Sequence, residues 1–173
     1  MMQSITEDKK EETKHRGSKE GKFLTFELAG EEYGVEILKV KEIIGIMNIT
    51  SVPQTPGYVK GVINLRGKVI PVIDLRLKFG METQSYDERT CIIVIDIADR
   101  YGRGIVTGIV VDSVSEVLNI REEDIEETPT FSAGLDTGFI LGMAKVRGNV
   151  KILLDIDRVL GSDEVTAIGS MVQ

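Results

Sequence analysis

The sequence contains no tryptophan, one cysteine and one histidine, and each scarcity removes a kind of chemistry. A structural or catalytic zinc site draws on several Cys and His ligands, so one of each excludes it. A Ser-His-Asp triad would need His15. That residue falls in Met1–Gly21, which balances five acids against five bases and offers almost nothing to bury. We read this segment as a flexible tail, which takes His15 away from the folded body.

Cys91 opens the apolar run Cys91–Ile97. A lone buried thiol closes no internal disulfide and fits a reducing cytosol. No apolar stretch approaches the ~20 residues needed to cross a bilayer, and Met1–Gly21 lacks the apolar core of a signal peptide. The chain is therefore expected to be cytosolic, without direct membrane insertion. Five Phe and four Tyr without Trp make no sugar platform, and no motif singles out a carboxylate pair among the 28 acids. Phosphate loops and dinucleotide fingerprints are missing as well. Gly102-Arg103-Gly104 has the wrong spacing for either and reads as a hairpin turn. A net charge of −7 repels phosphate backbones and argues against nucleic acid. No catalytic residue, metal or cofactor is expected.

What the chain does contain is a repeat. Val59–Gly80 lies over Ile140–Gly161 at a constant offset of 81 residues. Gly61 then meets Gly142, Arg66 meets Arg147, Gly67 meets Gly148 and Asp74 meets Asp155. Gly34–Ile44 matches Gly108–Leu118 at an offset of 74, which sets Glu42 on Glu116. The same small unit occurs twice.

Its segments are short, rich in Val and Ile, and punctuated by Gly. Phe23–Leu28 alternates like a half-buried strand, with Thr25 and Glu27 facing out. Val62–Leu65 and Val69–Ile73 read as strands joined by a tight turn in which Gly67, like Gly148 in the second copy, takes a positive φ. Pro71 cannot donate to a ladder, so its strand is expected at an edge or a bulge. Asp74 and Asp155 are expected to cap one- or two-turn helices closed by Gly80 and Gly161. Arg121–Glu127 suits a short surface helix or loop. Glu42 and Glu116 are plausible ion-pair partners for the turn residues Arg66 and Arg147.

These observations give an all-β fold of two tandem five-stranded barrels with short helices. The expected boundaries are a tail over 1–21, a first barrel over 22–90, a second over 91–165 and a C-terminal end over 166–173. The first strand is a candidate for sharing between the barrels. Small barrels of this size are marginal alone, so an apolar seam between them is expected.

The run Gly61-Val-Ile-Asn-Leu-Arg66-Gly67 followed by Val-Ile-Pro71-Val-Ile-Asp74-Leu-Arg76 resembles the hallmark of the CheW family. So do Glu32-Tyr33-Gly34 through Glu42-Ile43, Thr107-Gly108 through Val117-Leu118, and the ending Ile152 through Leu160. The resemblance extends from about Lys22 to about Gly161. It implies two SH3-like barrels around a shared apolar layer and a scaffold without catalysis. Its partners would be the regulatory domain of the histidine kinase CheA and the cytoplasmic tips of methyl-accepting chemotaxis receptors, in arrays at the membrane. Carried over by position, the receptor site would comprise Val40, Glu42, Arg66, Gly108 and Val117, with Gly61 near the kinase contact. A seam lined by Val40 and Val117 would accept the apolar face of a receptor helix. The nearest alternative is the coupling domain of a CheV-like scaffold, whose additional receiver domain 173 residues do not accommodate. A remoter one is an acid-residue hydrolase on a β-barrel.

Overall fold

A computed structural model describes residues 19–99, 101–128 and 138–171. Eleven strands run in chain order as β1 (Gly21–Leu28), β2 (Glu31–Glu36), β3 (Val40–Gly45), β4 (Val59–Leu65), β5 (Lys68–Asp74), β6 (Cys91–Ala98), β7 (Gly104–Val111), β8 (Ser113–Ile120), β9 (Ile125–Glu126), β10 (Ile140–Val146) and β11 (Asn149–Leu154). Three helices join them: α1 (Leu75–Lys78), α2 (Ile156–Val159) and α3 (Ser162–Ser170). The strands form a six-stranded sheet in the order β8-β1-β2-β11-β10-β9 and a five-stranded sheet in the order β3-β6-β7-β5-β4.

Both sheets curl on themselves, because residues from their opposite ends share a core. In the six-stranded sheet, Ile120 of β8 packs with Phe23, Ala144 and Leu153, and Ile125 of β9 lies against the same cluster. In the five-stranded sheet, Ile63 of β4 packs with Val72, Ile92 and Val94, joined by Ile44 of β3. A third and larger cluster draws on both sheets and on the helices, including Phe26, Val35, Val40, Ile73, Ile95, Ile109, Ile156 and Ile168. This is the expected shared layer.

The expected boundary between residues 90 and 91 does not separate the two sheets. The β1–β2 hairpin belongs to the sheet that holds β8 to β11, and the β6–β7 hairpin completes the sheet that holds β3, β4 and β5. Short connections force the exchange. β8 lies beside β1, antiparallel to it as β2 is, and β3 stands in the same relation to β6 and β7. Were β3 to occupy the place of β8, it would run parallel to β2. Only Ile37–Lys39 joins those two strands, and only Asp112 joins β7 to β8. A parallel return within one sheet needs about a dozen residues or more. The chain must therefore cross to the other sheet.

The exchange keeps the repeat intact. Parallel β5 and β7 set Val72 beside Gly108, and parallel β11 and β2 set Leu153 beside Gly34, the same pairing displaced by the two repeat offsets. Close approach explains both glycines: a Cβ on Gly108 would stand 2.7 Å from Ile92 Cγ2, and one on Gly34 would stand 3.0 Å from Leu153 Cδ2.

Local details follow the chain's chemistry, with some departures from expectation. The β4–β5 turn has φ 52° at Arg66 and 89° at Gly67, and Arg147 and Gly148 repeat it at 51° and 81°. Two positive-φ residues match the right-handed twist of the flanking strands. Asp74 accepts from Leu77 N–H at 3.3 Å and Asp155 from Asp157 N–H at 3.2 Å, so both are caps. Gly80 has φ 75° after the first short helix. Gly161 has φ −66° and caps the start of α3 instead of closing α2. That helix crosses the expected boundary at 165/166, since Val165 and Ile168 drop into the shared layer. The expected tail reaches β1 at Gly21, and residues 1–18 lie outside the described residues.

Thr25 is not on an exposed face. It is fully buried, donating to Glu116 O at 2.8 Å and accepting from Glu116 N–H at 3.1 Å. β1 is covered on both sides because the exchanged hairpin sits between a barrel core and the shared layer. Pro71 pairs with Val62, whose N–H and C=O both bond Thr50 at 2.8 Å. Val62 therefore turns its polar groups away from Pro71, and the missing N–H leaves that ladder intact. Arg121–Glu127 forms a 3-10 turn over Glu122–Asp124 and then β9.

Candidate functional site

Glu42 on β3 and Arg66 in the β4–β5 turn meet across the two free edges of the five-stranded sheet. Arg66 donates to both carboxylate oxygens, one bond at 3.1 Å and the other shorter. That bonding holds Glu42 below the usual carboxylate range and raises Arg66. The second barrel repeats the arrangement, with Arg147 Nη2 3.6 Å from Glu116. The Arg66 and Arg147 side chains are 70% and 75% exposed. Each pair thus closes a barrel edge and also presents a cation to solvent.

The five residues expected at the receptor site do not form one exposed patch. Glu42 and Arg66 are brought together at the surface. Val117 is 40% exposed on β8, in the other sheet and next to Glu116. Val40 is fully buried in the shared layer, and Gly108 is buried in the middle of β7. Both are covered in this chain and pack within its strands and shared layer. Sequence reasoning also missed exposed apolar residues on the same elements. Ile43, one repeat before Val117, is 38% exposed; Val69 and Val150, one repeat apart, are 52% and 51% exposed. The repeat offsets that pair Arg66 with Arg147 also pair these, and would have revealed them.

Gly61 is buried, with φ 144°. A Cβ there would run into the carbonyl oxygen of Thr50 and stand 2.7 Å from its carbon. Gly142 holds the equivalent place, where a Cβ would stand 2.7 Å from Ile125 Cγ2 and 3.0 Å from Glu126 O. Both glycines lie at bulges, in β4 and β10, and each admits the segment that closes its barrel. Gly61 is therefore a structural seat in this fold and not itself an exposed contact.

The open part of the seam lies elsewhere than expected. A cleft of about 560 Å³ is walled by Tyr33, Ile152, Phe79, Met81, Phe139 and Val159. Tyr33 and Ile152 come from the six-stranded sheet, and Phe79 follows the helix after β5 of the other. Three rings line up along it, Tyr33 to Phe79 at 6.0 Å and Phe79 to Phe139 at 5.3 Å. At its rim Glu164 binds Lys78 at 2.7 Å and accepts from Tyr58; burial first, and then this bond, raises the Tyr58 pKa. The cleft can take an apolar side chain or helix face. Among the described residues no group of three or more His, Cys, Asp or Glu could hold a metal ion. Among them, too, no helix is long and apolar enough to cross a membrane.

Comparison with known proteins agrees with this architecture. The CheW-like domain family matches residues 22–164. A chemotaxis protein CheW of Klebsiella aerogenes is 43% identical over 86% of this chain and 87% of its own. The chemotaxis protein CheW of Rhizobium meliloti is 34% identical over 87% and 94%. The crystal structure of the scaffolding protein TtCheW from Thermoanaerobacter tengcongensis superposes with a TM-score of 0.72 at 36% identity, covering 84% of this chain and 97% of that one. With its two curled sheets, its exchanged hairpins and this likeness over nearly all of the described residues, the chain belongs to the CheW-like family of chemotaxis proteins.

Proposed function

We propose that this chain is a non-catalytic adaptor that couples the histidine kinase CheA to the cytoplasmic tips of methyl-accepting chemotaxis receptors, working in the cytosol and recruited to receptor arrays at the membrane. The observation that carries this reading is the family match over residues 22–164, supported by relatives that are named chemotaxis and scaffolding proteins.

The geometry suits such a role. Two barrels welded by one apolar layer form a stiff body, so partners held on different faces keep a fixed separation. The Glu42–Arg66 edge, with Ile43 and Val69 on the same strands, supplies a charged group beside apolar surface for a receptor helix. Val117 and the Glu116–Arg147 pair supply a second such edge, and the aromatic cleft offers a third, apolar recess. Coupling then requires only that bound receptor favour one kinase state over the other.

The test is calorimetric titration of the purified chain with the CheA regulatory domain, followed by a receptor-tip peptide. Simultaneous binding of both is the expected result. Failure to bind either, from a sample with a cooperative unfolding transition, overturns the adaptor reading and leaves the fold untouched.

A further inference from the structure

The charged groups that line the cleft between the barrels are Lys78, Arg158 and Glu164, so its walls carry one positive charge in a chain of net charge −7. Both Glu164 oxygens are engaged. That carboxylate binds Lys78 at 2.7 Å, accepts from the Tyr58 hydroxyl and accepts from Gly161 N–H at 3.0 Å. Lys78 matches its charge and also lies 4.8 Å from the centre of the Tyr58 ring. Arg158 is the charge left over. Its side chain is 70% exposed and stands 3.7 Å from Asp155 Oδ2, beyond hydrogen-bond reach. Asp155 spends its other oxygen on Asp157 N–H. The Arg158 guanidinium therefore borders the cleft as a planar fork with donors to offer.

Below this rim the walls are apolar. Phe139, Phe79 and Tyr33 form a row with ring centres 5.3 and 6.0 Å apart, and Tyr33 extends it to Phe26 at 5.9 Å in the shared layer. A volume of about 560 Å³ is that of a small-molecule site, and the interface between two folded units is a usual place for one. A row of flat faces favours a ring over a flexible chain, because aromatic pairs gain from offset stacking beyond the area they bury.

We propose that this cleft binds an aromatic monocarboxylate, with its ring against Phe79 and Phe139 and its carboxylate held by Arg158. The site stands apart from the adaptor reading and from the edges at Arg66 and Arg147. A guanidinium gives a carboxylate two parallel N–H···O bonds, which an uncharged group of the same shape does not draw. Tyr33 and Ile152 come from the six-stranded sheet, and Phe79 and Met81 follow β5 of the other. A bound ring therefore touches both barrels, and binding stabilises the folded chain.

The probe is 2-naphthoate, with 2-naphthalenemethanol as its uncharged counterpart. Each is titrated into the full-length chain and followed by methyl NMR and by melting temperature. Saturable shifts at the Ile152 and Val159 methyls are expected, with a melting temperature that rises with naphthoate concentration. The alcohol is expected to bind roughly tenfold more weakly, the worth of one charge-assisted pair. Arg158→Gln alters a mostly exposed side chain. It is expected to bring naphthoate down to the level of the alcohol and to leave the alcohol's affinity within about twofold.

Equal affinity for the two probes in the wild type would show an apolar crevice without selectivity for an acid and would overturn the proposal. So would an unchanged naphthoate affinity in Arg158→Gln, or shifts confined to the exposed Val69 and Val150. Absence of saturation up to the solubility of the probe has the same consequence. If Arg158→Gln does not fold, the comparison of the two probes on the wild type decides alone. No kinase or receptor enters these measurements, so their failure leaves the adaptor reading untouched.

Discussion

Ala29 and Ala98 do the same work in the two exchanged hairpins: each donates its backbone N–H to a carboxylate from outside its hairpin, Asp112 in the β7–β8 crossover and Asp157 in the helix after β11. The positions are equivalent, because Leu24 pairs with Val117 and Ile93 pairs with Ile43, one repeat apart. Ala29 N–H binds Asp112 at 2.8 Å, and Arg76 holds that carboxylate through two bonds of 2.7 Å. Ala98 N–H binds Asp157 at 2.9 Å, and Lys39 holds it at 2.6 Å. The polarity is inverted between the two sites. In one the short helix after β5 supplies the cation and the crossover supplies the anion; in the other the short helix after β11 supplies the anion and the crossover the cation. Each hairpin is pinned where the chain crosses between sheets.

Acid should loosen the first of these pins. Burial alone would raise the Asp112 pKa, but the bonds from Arg76 and Ala29 outweigh it and the net shift is downward from 3.8. A carboxylate with a lowered folded pKa contributes stability that is fully present above its ordinary value and is lost as pH falls through the folded one. Urea midpoints of the wild type are expected to drop below pH 3.8. Those of Asp112→Asn should start lower at neutral pH and fall less over the same acid range. Parallel curves would show that Asp112 titrates alike in both states.

The two kinds of positive-φ glycine should differ in cost. Gly67 has φ 89° with nothing within 4 Å of an added Cβ, so Gly67→Ala is expected to cost about 1 kcal/mol, the left-handed penalty alone. Gly61→Ala adds the Thr50 clash and should cost at least about 2 kcal/mol. Chemical denaturation of both variants checks the order, and equal losses would contradict it.

The two helix caps are also unequal. Asp74 is buried, bonding Leu77 N–H on one oxygen and Tyr86 OH at 2.8 Å on the other. Removing it takes the partner from the partly buried Tyr86 hydroxyl as well as from the helix end. Asp74→Ala is expected to lose about 2 kcal/mol and Asp155→Ala about 1 kcal/mol. Tyr86→Phe in the Asp74→Ala background should then cost less than it does in the wild type, as a double-mutant cycle would read.

Arg66→Ala should separate edge closure from recognition. The Arg66 side chain is largely exposed, so the melting temperature is expected to change little. Receptor-peptide binding is expected to weaken by roughly tenfold, as loss of one charge-assisted contact at an interface does. Glu42→Ala leaves the Arg66 cation available and should cost less binding. Unchanged affinity in Arg66→Ala would remove this edge from the receptor site.

Much of this molecule can be read before folding because its determinants are local or repeated. The Arg66-Gly67 and Arg147-Gly148 turns, the caps at Asp74 and Asp155, and the pairing of Glu42 with Arg66 depend on φ preference, hydrogen-bonding capacity and charge. All three are properties of residue types at fixed spacing, and the offsets of 81 and 74 residues show each of them twice. Burial was less legible. Thr25 looks polar and exposed because alternation reports one covered face and cannot show that a second sheet covers the other, and the groove role of Val40 was implied by resemblance alone, which carries no burial.

Only the tertiary structure decided which hairpin completes which barrel, where the seam stays open, and what Gly61 touches. These depend on contacts between segments far apart in the chain. Phe79 meets Tyr33 and Phe139, Asp112 meets Ala29, and Thr50 lies over Gly61, and no periodicity within a single segment records such meetings. The sequence by itself determined the unit and its duplication. The three-residue and one-residue crossings, too short for a parallel return within one sheet, turned that duplication into an exchange.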